Sequence, residues 1–255
     1  MSRIVSRDEW IAERKRLLVE EKEFTRRRDA LGEKRRSLPW VKVEKDYEFE
    51  SPQGRVKLAD LFRGRSQLWV QSVMQGPGQP LQCVGCSIGI DHIEGLLPHL
   101  DNHDVSYVAV ARATMPELTA LKERMGWRVP FYSSYGSDFN YDFGVSFKPE
   151  DMKAGRAEYN YRECDPGLED LPGDNVFYRS TSGEDAGTIY HTYSCFSRGG
   201  EDFMTIYRLL EVTPKGRNET KERGMLDWVR PHNMYGKGGE VAPNGRFIPP
   251  VSCCM

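Results

Sequence analysis

No stretch of the 255-residue sequence approaches the roughly 20 consecutive apolar residues that a membrane-crossing helix needs, and hydrophobic residues make up only 38% of the chain. A membrane is therefore not an expected partner. Positive charge is not in excess either: 36 Lys and Arg against 38 Asp and Glu leave a net charge of -2. Without a basic field to hold a phosphate backbone, nucleic acid is not expected as a partner. The opening residues, Met1 to Glu9, lack the apolar core of a signal peptide, so the expected location is cytoplasmic. No Gly-rich phosphate loop of either common pattern occurs, and no organic cofactor is expected. Histidine is scarce, at five residues. His99 and His103 are four apart, but Pro98 and Asp101-Asn102 signal a helix end there.

What the chain does have is cysteine. Cys83 and Cys86 form a C-x-x-C, Cys253 and Cys254 are adjacent, and Cys164 and Cys195 stand alone. In a long cytosolic chain stable disulfides are rare, so the C-x-x-C points to redox chemistry or metal binding. A zinc site needs two further ligands, usually as a second such pair, and none has that spacing, so no metal residues are assigned.

The first forty residues predict a long helix. Ser6 to Glu9 fits a capping box, and Trp10, Leu17, Phe24 and Leu31 recur every seven residues on an otherwise charged surface. Such a stripe packs along a domain or against a second copy in a homodimer. Residues 47–50, 67–74, 105–111 and 129–132 have strand character, and Ile88 to Leu97 and Pro116 to Met125 have helical patterns, the latter with Gly126 as its C-cap. A polar insertion over about 148–174 precedes a strand pair at 175–178 and 188–193 and a helix at 203–210. The expected organisation is a helical extension (1–40), a main domain (41–215) and a loop-rich C-terminal tail (216–255). Strands alternating with helices, closed by an antiparallel pair, predict an α/β domain of thioredoxin-like plan: a mixed sheet flanked by helices.

A thiol at a helix N-terminus meets unpaired N–H groups and the positive end of the helix dipole, which favour the thiolate. Cys83 falls at such a junction and is the expected accessible nucleophile. Cys86, one turn in, is the expected resolving thiol. Val84-Gly85 lies between them. His92, off the cysteine face, reads as a surface histidine. A peroxiredoxin-type site would carry P-x-x-x-T-x-x-C ending at Cys83, but Gly76 and Pro80 occupy the proline and threonine positions.

Several long segments carry a resemblance: Leu38-Pro-Trp-Val41, Leu58-Ala-Asp-Leu-Phe62, Cys83-Val-Gly-Cys-Ser87, Arg124-Met-Gly-Trp127, Ser137 to Phe147, His191-Thr-Tyr-Ser194 and Asp227-Trp-Val-Arg230. Over nearly its whole length the chain resembles a bacterial and fungal thioredoxin-like family, catalogued as a domain of unknown function and thought to contain dithiol–disulfide oxidoreductases. The resemblance implies thiol–disulfide exchange through Cys83 and Cys86, with a disulfide-containing protein or a small thiol as substrate. The alternative is a non-catalytic binder of the same fold holding zinc or copper. The family commonly has Pro-Ser between its cysteines, an aromatic run before them, and Thr at the position of Cys195.

Further candidates concern the substrate. Tyr141 and Asp142 could hydrogen-bond it, although Asp138 to Phe143 also reads as a rigid loop with Asp138 capping a turn. His191 and Tyr193 share a strand face. Thioredoxin-like folds set a cis-proline loop beside the nucleophile, and Pro172 is the best-placed proline. Cys253 and Cys254 read as a frayed terminus, with a shuttle dithiol as the alternative.

Overall fold

The structure, a computed structural model, describes residues 3–250. Cys253 and Cys254 lie outside the described residues. The chain divides into two compact units at Trp40/Val41.

The first unit is built on α1 (Arg7–Arg36). Ser6 and Glu9 cap it reciprocally, as its sequence predicts: the Glu9 N–H donates to Ser6 Oγ, and the Ser6 N–H donates to Glu9 at 2.9 Å. None of its residues is buried, and Trp10, Leu17, Phe24 and Leu31 remain about half exposed.

The second unit opens with β1 (Val41–Lys42) and the hairpin β2 (Glu48–Ser51) and β3 (Gly54–Lys57), followed by the single turn α2 (Leu58–Leu61). Next come β4 (Gln67–Ser72), α3 (Val84–Ile93), α4 (Leu97–Asn102), β5 (Val105–Ala111), α5 (Met115–Met125) and β6 (Phe131–Ser133). The short α6 (Phe139–Asp142) leads into the expected insertion, which contains α7 (Pro149–Lys153) and a hairpin of β7 (Ala157–Tyr159) and β8 (Arg162–Cys164). The chain closes with β9 (Gly173–Arg179), β10 (Ile189–Phe196), α8 (Thr205–Glu211) and a small hairpin of β11 (Glu240–Val241) and β12 (Phe247–Ile248).

Eight strands form one sheet in the order β1-β10-β9-β4-β5-β6-β2-β3. β4 and β5 run parallel with Val70 opposite Val108, while β9 is antiparallel to β4 and β10 to β9. A parallel β–α–β half joined through α5 to an antiparallel β–β–α half is the thioredoxin-like arrangement. β4 and β5 are buried on both faces, which explains the apolar runs Leu68-Trp-Val70 and Tyr107 to Ala111 within them. One face packs Tyr107, Ala109 and Trp69 with both cysteines of the C-x-x-C, Ile90 and Leu118. The other packs Leu68, Val70, Val108 and Phe177 with Phe49, Phe62 and Phe139.

Two expectations need correction. The helix expected to run on to Leu97 ends at Ile93, and α4 restarts with Pro98 in its first turn. The antiparallel pair is not the sheet edge, because β1 adds outside β10. Residues 224–248 are loop-rich as expected, and Val229, Val241 and Phe247 are buried against Val84 and Ile88 of α3.

Candidate functional site

Cys83 is the N-cap of α3, extended at φ -75° and ψ 121°, and its sulfur accepts the Cys86 N–H at 3.3 Å. Ser87 Oγ donates to the Cys83 carbonyl at 2.6 Å and accepts from Gln82 Nε2 at 2.6 Å, which locks the first turn. The Met74 N–H donates to Cys86 Sγ at 3.3 Å. Donors aimed at sulfur favour the anion. The Cys86 thiol beside it and the backbone N–H groups of Cys86 and Gly85 pull Cys83 down to about 7 against its desolvation, with a contribution from the Arg246 charge. Cys86 is pushed up, first by that same hydrogen bond and then by burial. The pair thus has the expected polarity of one thiolate and one thiol.

Its exposure differs from expectation. Cys83 is 6% exposed and Cys86 3%. Residues 242–247 cross the helix N-terminus like a strap. The Val84 N–H donates to the Gly245 carbonyl at 3.0 Å, and the Phe247 N–H to the Gln82 carbonyl at 2.8 Å. Arg246 faces Cys83 as a bridge pair, and its buried guanidinium donates to the carbonyls of Met74 and, at 3.2 Å, Leu81. The opening that remains is a cavity of about 200 Å³ that reaches Cys86, not Cys83. Nothing in the sequence signals the strap, because its apolar contacts are isolated residues without period.

Pro172 lines this cavity, as does Asp174, but every described X–Pro bond is trans, so Pro172 is not the expected cis-proline. Asp174 accepts from Trp69 Nε1 at 2.9 Å, and burial pushes its carboxyl up to about 6. Cys195 lies against the same carboxyl, at 3.9 Å. His92 is not a surface residue: its Nδ1 meets the Ile88 carbonyl at 2.6 Å and its Nε2 accepts the Ile206 N–H at 3.1 Å, tying α3 to the start of α8.

The other three substrate candidates gather elsewhere. Tyr141, Asp142 and His191 line a cavity of about 820 Å³ bounded also by Asn175 and Ser194. His191 packs between Phe143 and Phe177, on the sheet face opposite the cysteines. Asp142 accepts from Tyr47 Oη and Lys45 Nζ, both at 2.8 Å. Asp138 does not cap its turn but pairs with the same Lys45 at 2.6 Å, because the ammonium outcompetes a local N–H. Tyr141 Oη accepts from Arg112 Nη1 at 3.0 Å, and Arg112 also grips buried Asp170 at 2.7 and 2.9 Å. Burial pulls His191 below its ordinary value, keeping the ring neutral.

The alternation of β9 and β10 creates this division. Asp174 stands opposite Cys195 and Asn175 opposite Ser194, and successive residues point to opposite faces. The polar quartet Asp174-Asn175 and Ser194-Cys195, paired across the two strands, is the available sequence signal for both cavities.

The sequence model of the family described as bacterial protein of unknown function (DUF899) matches residues 1–235, and the chain belongs to that family. No curated protein matches the chain. Among solved structures it is similar to a peroxiredoxin Q variant from Xylella fastidiosa, at 12% identity and TM-score 0.39 over 64% of this chain and 88% of that one. It is also similar to the peroxidoxin BcpB from Mycobacterium tuberculosis (13%, TM-score 0.40, 68% and 97%). A third is a putative thiol-disulfide oxidoreductase from Bacteroides vulgatus (13%, TM-score 0.32, 41% and 70%).

Proposed function

We propose that the protein is a thiol–disulfide oxidoreductase working through Cys83 and Cys86. The carrying observation is geometric: Cys83 is the N-cap of α3 with its sulfur accepting the Cys86 N–H, and the second cysteine stands one turn further in, an arrangement that favours the thiolate at Cys83. In the forward direction the Cys83 thiolate attacks one sulfur of a substrate disulfide. The S–S bond breaks, a mixed disulfide forms, and the first substrate thiolate leaves. Cys86 then loses its proton and attacks Cys83 Sγ, releasing the second thiolate. The substrate gains two electrons and the C-x-x-C becomes a disulfide.

Asp174 supports the second step. Its carboxyl lines the cavity that reaches Cys86 and, with a value near 6, is ionised and able to take the Cys86 proton at neutral pH. The strap must lift before Cys83 meets a protein disulfide, so the reaction is gated by the 242–247 segment. A small disulfide needs the strap to move as well, because the cavity beside Cys86, Pro172 and Met204 does not reach the Cys83 sulfur.

Reduction of insulin by dithiothreitol tests the proposal. The wild type is expected to accelerate it, Cys83→Ser to abolish the acceleration, and Cys86→Ser to trap a mixed disulfide visible by mass spectrometry. Equal rates with wild type and Cys83→Ser would reject the catalytic role. Thiolate absorbance should rise through about pH 7 in the wild type and not in Cys83→Ser.

A further inference from the structure

The cavity of about 820 Å³ on the far side of the sheet has no part in the dithiol chemistry, yet it contains a buried polar group left without a partner. Asn175 is 0% exposed, lines the cavity, and its Nδ2 has no acceptor among the described residues. Burying an amide N–H unmet is costly, and such groups are rare in folded proteins.

The hydrogen bonds around it fix its polarity. His191 Nε2 lies 3.1 Å from the Tyr193 carbonyl and 2.7 Å from Ser194 Oγ. A carbonyl can only accept, so Nε2 carries the proton. Ser194 Oγ, facing a donor there, turns its own proton to Asn175 Oδ1 at 2.5 Å. With Oδ1 occupied, both Nδ2 protons are left over. Rotating the amide by half a turn would face Ser194 with two donors and leave its proton without a described acceptor. The chain therefore runs in one direction, His191 to Ser194 to Asn175, and ends in an unpaired donor on a residue that lines the cavity.

The walls indicate what meets that donor. Phe143, Phe147, Tyr141 and Phe196 supply ring surfaces. Tyr161 stands at the lip on the two-residue turn of the β7–β8 hairpin, held in left-handed backbone at φ 62°, with its hydroxyl donating to the Ser194 carbonyl at 3.4 Å. Charges at the lip balance: Lys42, Lys45, Lys148 and Arg156 against Glu44, Asp142, Asp151 and Glu158. The cavity therefore selects for a flat apolar body and an acceptor oxygen rather than for net charge.

We propose that this cavity is a second binding site, separate from the dithiol, that takes a ring-bearing small molecule and receives its carbonyl oxygen on Asn175 Nδ2.

The test is nitrogen–proton correlation spectroscopy of the labelled full-length chain titrated with benzamide, benzoate and benzylamine. The first two present an acceptor oxygen on a ring, and the third has the same ring with a donor in its place. Benzamide is expected to shift the Asn175 side-chain amide pair and the His191 ring, and benzylamine to leave both unmoved. If benzoate matches benzamide, the oxygen alone is read; if it binds more weakly, the site prefers a neutral carbonyl. Asn175→Asp, which exchanges the donor for an acceptor, should weaken benzamide about tenfold or more. Absence of shifts with benzamide, equal shifts with benzylamine, or undiminished binding in folded Asn175→Asp would overturn the proposal. Should Asn175→Asp fail to fold, the wild-type comparison of benzamide with benzylamine still decides.

Discussion

At the scale of single residues, Asp174 concentrates the competing demands on the site. Its carboxyl is desolvated and raised to about 6, with one hydrogen bond from Trp69 as partial compensation. A group raised in the folded state favours folding while protonated. Its contribution is full below the unfolded value near 3.8 and is lost as pH rises through about 6. The loss is on the order of 3 kcal/mol. Asp174→Asn keeps an acceptor for Trp69 and removes the charge. In urea titrations the variant should therefore be more stable than wild type above about pH 6, by up to that amount, with the advantage shrinking toward pH 4. Its turnover of disulfides should fall, because the proton acceptor for Cys86 is gone. Parallel stability curves for the two proteins would contradict the assignment. Asp174 is visible in the sequence only as a polar residue within a strand; that it is buried beside the sulfurs depends on strand order and register, which are not local. Cys83 and Cys86 are legible because the spacing of a C-x-x-C and the apolar helix it opens are both local features.

At the scale of elements, the strap and the first helix make opposite points. The strap is fastened by two backbone hydrogen bonds, the buried Arg246 and the side chain of Phe247, which is 5% exposed against Val84, Ile88, Val229 and Val241. Phe247→Ala should cost about 3 kcal/mol, mostly as easier local opening, and Cys83 should then alkylate about tenfold faster or more at neutral pH. An unchanged alkylation rate in a destabilised variant would show that the strap does not gate the sulfur. The helix α1, in contrast, is legible almost to the residue, since its cap, charge pattern and length are local properties. What covers its apolar stripe is not local. The heptad spacing of Trp10, Leu17, Phe24 and Leu31 leads us to expect a second copy there. Light scattering should give a dimer for the full chain and a monomer for Leu17→Glu with Phe24→Glu, both exposed positions whose change leaves the fold intact. Identical masses for the two would reject the pairing.

For the whole molecule, order of stability follows the layering of the second unit. β4, β5 and β9 lie at the centre of the eight-stranded sheet with cores on both faces, whereas β11 and β12 are joined by two residue pairs only. Hydrogen exchange should therefore protect the amides of β4 and β5 most strongly, approaching global unfolding, with the strap opening at far lower free energy. Uniform protection across both would contradict a separable gate. The central strands are visible in the sequence as runs of Val, Ala and Leu, but which face each polar residue serves depends on strand order and register, both non-local. Tyr141, Asp142 and His191 accordingly do stand beside a cavity, but on the side of the sheet away from the sulfurs.

Only one thickness of backbone separates the carboxyl beside Cys86 from the amide beside the aromatic walls, since Asp174 and Asn175 are chain neighbours. Because neighbours on a strand face opposite ways, a slip of β9 by a single residue would not degrade the two chambers independently. It would transpose them, delivering an amide to the sulfur and an acid to the rings. An insertion or deletion just ahead of Gly173 would therefore disrupt both proposed sites at one stroke, while the bulge at His191/Tyr193 in β10 lies beyond the Asp174–Cys195 and Asn175–Ser194 pairs and leaves them in step.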